Sequence, residues 1–166
     1  MHIYLITGNI FSLLSAIFIA VSVLKKNKAD LIWWQILDVI FCILSNIALC
    51  TYAALTTNTL ALIRNILAYK NKLTERLTWL LFALCIIVGI YANNRGIIGF
   101  FPIAASASYT IFMYTTKNEQ QMRWALISNL ALWFVHDLYV QAYPSAITDV
   151  TLSVWTAIQV YRNKKR

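Results

Sequence analysis

Charge is scarce in this chain. Only 12% of its 166 residues are Asp, Glu, Lys or Arg, against about 25% in an ordinary soluble domain. That leaves too little polar surface to coat a globule in water, so lipid must cover much of the protein. Acidic residues are the scarcest, with six against fourteen Lys and Arg. The four glycines form no phosphate-binding loop, and there is no HExxH and no Ser-His-Asp order that stands out. The chain is therefore not expected to be an enzyme and is expected to need no cofactor. Cys42, Cys50 and Cys85 have no CxxC spacing and sit in apolar runs. They read as small buried apolar residues rather than metal ligands or redox groups.

Apolar residues make up 60% of the sequence, and aromatics 14%. Runs bounded by charges divide it into seven segments, roughly 3–24, 32–54, 55–69, 77–93, 97–115, 122–141 and 146–161. Most approach the ~20 residues that a helix needs to cross the hydrocarbon. The third and seventh are shorter and more polar, and suit a place inside a bundle or along a cavity. Met1 to Leu24 has no basic segment before its apolar run; its lysines follow it, which marks a first span rather than a signal peptide. A net charge of +8 would suggest nucleic acid in a soluble protein. Here the basic residues fall in short loops instead. Lys25, Lys26, Lys28, Lys70, Lys72, Arg76, Lys117, Arg123, Arg162, Lys164, Lys165 and Arg166 all lie on one side if there are seven crossings. That asymmetry puts the N-terminus outside and the C-terminus in the cytoplasm.

The chain also repeats itself. Ser45-Asn46-Ile47-Ala48-Leu49 returns as Ser128-Asn129-Leu130-Ala131-Leu132, and Tyr69-Lys70-Asn71-Lys72 as Tyr161-Arg162-Asn163-Lys164. Gly8 aligns with Gly99, and Ser15-Ala16 with Ser106-Ala107. The expected fold is all-α and integral to the membrane. Seven transmembrane helices form two parallel three-helix bundles, residues 1–72 and 96–166, joined by a linker helix within 73–95. Matching the pentapeptides makes the connection between the last two spans nine residues longer than its counterpart. Parallel repeats about an axis along the membrane normal are the arrangement of SWEET-type transporters.

The segment Leu62-Ile63-Arg64-Asn65-Ile66-Leu67-Ala68-Tyr69 resembles a signature of the YgjV-type bacterial inner-membrane proteins. Phe101-Pro102-Ile103 and Trp133-Phe134-Val135-His136-Asp137 carry the same resemblance, which covers nearly the whole chain. That family is similar to the wider PQ-loop and SWEET group, which includes nicotinamide riboside carriers. The chain departs from that group in having no Pro-Gln dipeptide, and its only prolines are Pro102 and Pro144.

Polar residues within the spans are the candidate site. Asn46 and Asn129, near the midplane by the segment bounds, either ring a solute or bond neighbouring helices. Asp38 and Arg64 are expected to pair, since each alone is costly in lipid, unless Arg64 snorkels to the interface. Asn65 lies beside Arg64. Trp133 and Trp155 lie deeper than Trp33, Trp34, Trp79 and Trp124, and either stack on a flat solute or pack. Gln159 and Asp149 could line the last span. His136, Asp137 and Asp149 suggest an acidic, solvated outer vestibule, because adjacent helix positions such as His136 and Asp137 should not face one another. Pro102 is expected to kink span five.

These residues point to a transporter that moves a small polar solute between the halves by facilitated diffusion with alternating access. Facilitated diffusion is preferred because no buried carboxylate stands isolated. The alternative is a non-transporting membrane subunit that assists assembly or recruits a partner, with Ala104 to Ser108 as a small-residue docking or packing face. The expected partners are lipid and the solute, with no nucleic acid; association with further copies is left open.

Overall fold

The computed structural model describes residues 2–25, 27–116 and 119–164. Seven α-helices account for nearly all of it: α1 His2–Val23, α2 Lys28–Ala48, α3 Tyr52–Tyr69, α4 Glu75–Tyr91, α5 Phe100–Thr115, α6 Glu119–Tyr139 and α7 Tyr143–Lys164. A short 3-10 helix, Gly96–Gly99, leads directly into α5. Among the described residues there is no strand. Side-chain caps start two of the helices. Asn27 accepts the Ala29 amide at 3.0 Å, and Thr74 accepts the Leu77 amide at 3.4 Å. Pro102 is buried in the first turn of α5, where a missing amide costs no intrahelical bond.

The turns that link α2 to α3 and α6 to α7 match bond for bond. Each places a non-glycine residue in the left-handed region, Cys50 at φ 53° and Gln141 at φ 64°. The Cys50 and Thr51 amides donate to Ile47 and Asn46 carbonyls at 3.2 and 3.0 Å; those of Gln141 and Ala142 donate to Leu138 and Asp137 at 3.4 and 2.9 Å. This is the Schellman closure of a helix C-terminus. α2 and α6 are both 21 residues long and begin at Lys28 and Glu119, so the two halves correspond at an offset of 91 residues. The connection between α6 and α7 is therefore no longer than that between α2 and α3. The pentapeptide echo is out of register with the structure: Asn46 lies one turn from the end of α2, whereas Asn129 lies in the middle of α6. Helices drawn from few apolar residue types match themselves in several registers, and the turns decide which one is real.

Helix contacts run in a cycle: α1–α2–α3–α5–α6–α7 and back to α1. Helix α4 touches α3 and α5 and lies outside this cycle. Its buried residues Thr78, Leu81, Cys85 and Gly89 form one stripe along that contact. The cycle contains two arcs of three consecutive helices, α1–α2–α3 and α5–α6–α7, which meet where α3 packs on α5 and where α7 packs on α1.

The distribution of side chains is the reverse of a soluble protein's. The largest fully buried side chains include His136, Asn65, Thr51, Thr57, Thr78, Thr156, Ser12 and Ser22. Large apolar residues face outward instead, among them Ile3, Ile6, Leu80, Ile87, Ile97 and Ile147 at 49% exposure or more. Three segments, Ile3–Val23, Ala29–Ala48 and Gly96–Thr115, are individually long and apolar enough to cross a membrane. Such an apolar coat around polar contents suits hydrocarbon as the solvent.

Candidate functional site

All six helices of the ring line a cavity of about 100 Å³. The offset of 91 organises its wall into pairs: Asp38 with Asn129, Asn46 with Asp137, Asn58 with Asp149, and Ser15 with Ser106, all of which line it. Three of these pairs set one carboxyl group against one amide. Helix rise places them at successive depths from the end that carries the two Schellman turns: about 3 Å for Asn46 and Asp137, about 9 Å for Asn58 and Asp149, about 15 Å for Asp38 and Asn129. Two carboxylates at one level of a narrow cavity would repel strongly. An Asp–Asn pair keeps hydrogen-bonding capacity on both sides with half the charge.

The three carboxyl groups differ in their partners. Asp38 Oδ1 accepts from Ser15 Oγ at 2.6 Å and from Cys42 Sγ at 3.6 Å. Asp137 Oδ1 lies 2.8 Å from His136 Nδ1. Asp149 is 7% exposed, and its Oδ2 has no partner. Asn58 Nδ2 and Gln35 Oε1 are likewise buried without partners, although Gln35 Nε2 donates to Tyr109 Oη at 3.4 Å.

Arg64 closes the cavity on the far side. Its Nε and Nη2 donate to Asn65 Oδ1 at 3.1 and 3.0 Å, and its Nη1 donates to Thr110 Oγ1 at 3.1 Å and to the Ser106 carbonyl at 3.5 Å. The guanidinium also sits 5.0 Å from the Tyr109 ring centroid, within cation–π range. The expected Asp38–Arg64 pair does not form. Helix α3 directs Arg64 towards α5, whereas Asp38 faces Ser15 on α1. Nor does Arg64 snorkel, since it is only 4% exposed.

A family model described as a bacterial inner membrane protein, Imp-YgjV, matches residues 6–166. The chain belongs to this family. No curated protein and no solved structure matches it. The residues that carry the resemblance in the sequence have places in the fold. Arg64 and Asn65 form the hydrogen-bonded centre between α3 and α5, and His136 and Asp137 pair on α6 beside Trp133, whose ring meets the His136 ring edge-on at 5.6 Å.

Of the residues singled out in the sequence, Asn46, Asn129, Asn65, Arg64, Asp38 and Trp133 line the cavity. Trp155 and Gln159 do not. Trp155 is 47% exposed on the outer face of α7, next to the inward-facing Thr156. Gln159 accepts a hydrogen bond from Arg123 Nη1 and so ties α7 to α6. His136 and Asp137 do bond to one another, although they are sequence neighbours, because both side chains fold over the same turn. His136 is 1% and Asp149 7% exposed, and Asp137 and Asp149 line the cavity. The buried, half-unpartnered Asp149 also removes the ground on which facilitated diffusion was preferred. Cys50 is exposed at its turn and does not belong to the apolar interior. In the small-residue stretch Ala105, Ser106 and Ala107 are buried, which leaves Ala104 exposed.

Sequence reasoning missed Asn58, Gln35 and Tyr109 as cavity residues. Asn58 had a usable signal, since it stands 91 residues before Asp149. It also missed two asparagine clamps at the turn end. Asn9 donates to the Gln141 carbonyl at 3.0 Å and accepts the Tyr143 amide at 3.1 Å. Asn94 donates to the Cys50 carbonyl at 2.8 Å and accepts the Tyr52 amide at 3.1 Å. Asn9 on α1 thus holds the α6–α7 turn, and Asn94, between α4 and the 3-10 helix, holds the α2–α3 turn.

Proposed function

We propose that this Imp-YgjV protein is a membrane carrier for a small polar solute, not an enzyme, and that the solute passes through the cavity at the centre of the ring. The supporting observation is the ladder of carboxyl and amide groups inside a bundle whose outer surface is apolar. A purely structural bundle gains little from unpartnered polar atoms such as Asp149 Oδ2 and Asn58 Nδ2, since each costs about 1–3 kcal/mol of desolvation. A solute that supplies their hydrogen bonds recovers that cost.

In this reading all seven helices cross the membrane. α3, α6 and α7 tolerate their polar residues because those residues face the cavity. The Lys and Arg asymmetry sets the N-terminus outside and the C-terminus in the cytoplasm. The halves are parallel repeats of the kind used by SWEET-type transporters, with α4 as the crossing that restores direction. The mechanism is alternating access, by rocking of one arc against the other at the α3–α5 and α7–α1 seams. The asparagine clamps at the turn end release when that end opens.

Purified protein in proteoliposomes, incubated with a mixture of small polar metabolites, tests the reading. At least one solute should accumulate in the lumen above protein-free vesicles, as read by mass spectrometry. A complete failure to take up any component would contradict transport.

A further inference from the structure

The cavity is unbalanced in charge in a way that specifies the solute. Asp38, Asp137 and Asp149 all line it. Arg64 is paired to none of them, and its donors are already directed at Asn65, Thr110 and a backbone carbonyl. One leftover acceptor is not acidic: Gln35 Oε1 is unpartnered in a side chain 6% exposed, and Asp149 Oδ2 is unpartnered in one 7% exposed. Beside one unpartnered donor, Asn58 Nδ2, the wall therefore offers its contents mainly acceptors, three of them carboxyl groups.

We propose that the cavity binds its solute through a positively charged, hydrogen-bond-donating nitrogen, received by Asp149 and Asp38 and the amides paired with them. This rests on the carrier reading and adds the chemical class of the cargo. A primary ammonium carries three N–H donors and no acceptor, which suits a wall where single carboxyl groups alternate with amide and hydroxyl oxygens. A metal ion suits it less, because among the described residues no three His, Cys, Asp or Glu side chains converge. An anion would meet three carboxyl groups before it reached one occupied guanidinium. The cargo group is thus an amine.

Ligand-observed NMR on the detergent-purified full chain at pH 8 tests this with four probes of similar size: propylamine, β-alanine, propionamide and propionate. Propylamine and β-alanine should bind, and propionamide and propionate should bind at least tenfold more weakly. Asp149→Asn and Asp38→Asn should each weaken propylamine at least tenfold, while Asp30→Asn, at an exposed position on the first turn of α2, should leave it unchanged. Asp149→Asn and Asp38→Asn introduce the residue already present at the paired position of the other half, which favours folding. If either variant fails to fold, the wild-type probe series decides alone. Equal or tighter binding of propionamide or propionate would overturn the assignment and leave the carrier reading intact. Binding of none of the four would also overturn it, with the uptake experiment then judging transport separately.

Discussion

Arg64 holds its charge with neutral groups from two helices, and this makes it the most consequential single residue in the interior. Replacing it with Leu leaves Asn65 Oδ1 without the bonds that now saturate it and unties α3 from Thr110 and Ser106 on α5. A buried acceptor orphaned in this way costs about 1–3 kcal/mol. Thr110→Val removes one neutral partner and should cost about 1 kcal/mol. Arg64→Leu should therefore lower the thermal midpoint in detergent distinctly more than Thr110→Val does; equal effects would mean that the guanidinium contributes little to holding α3 on α5. At this scale the sequence was partly legible. Arg64, Asn65, Asp38 and Asn129 were visible because a polar side chain in an apolar run needs a reason to be there. Their partners were not visible, since a span gives depth but not azimuth: Trp155 and Thr156 are adjacent in sequence, yet one faces outward and the other is buried.

The helices themselves were easy to read, and their ends were not. Charge runs located all seven segments, but the second was drawn to residue 54, whereas α2 ends at Ala48. That excess of six residues moved Asn46 from the turn end to an imagined midplane and made the false register persuasive. The decisive signal was the left-handed residue at each turn, and Cys50 and Gln141 are poor markers because neither is Gly or Asn. Their conformation also makes a prediction. A non-glycine residue in the left-handed region is disfavoured by roughly 1 kcal/mol, and neither side chain is buried. Cys50→Gly and Gln141→Gly should each raise the thermal midpoint, with a gain of up to about 1 kcal/mol, reduced by the greater freedom of glycine in the unfolded chain. A loss of stability in both would argue against the Schellman geometry.

At the scale of the whole molecule, the composition already implied an apolar coat over a polar interior. It did not show that six helices form a cycle with α4 outside it, because connectivity alone leaves open which spans meet across the bundle. Nor did it show that three carboxyl–amide pairs related by the offset of 91 line one cavity, since that depends on the register the turns set. The central claim is that this cycle surrounds a polar cavity that solutes reach from the aqueous phase. It is tested most directly by placing single cysteines at Asn58, Asn129 and Trp155 in a background with Cys42, Cys50 and Cys85 replaced, then labelling membranes from each side with a small polar thiol reagent. Labelling at 58 and 129, with 155 protected by lipid, is the result expected of a carrier. Protection of both 58 and 129 from both sides would contradict it, and would make the ladder of Asp and Asn residues packing inside a closed bundle.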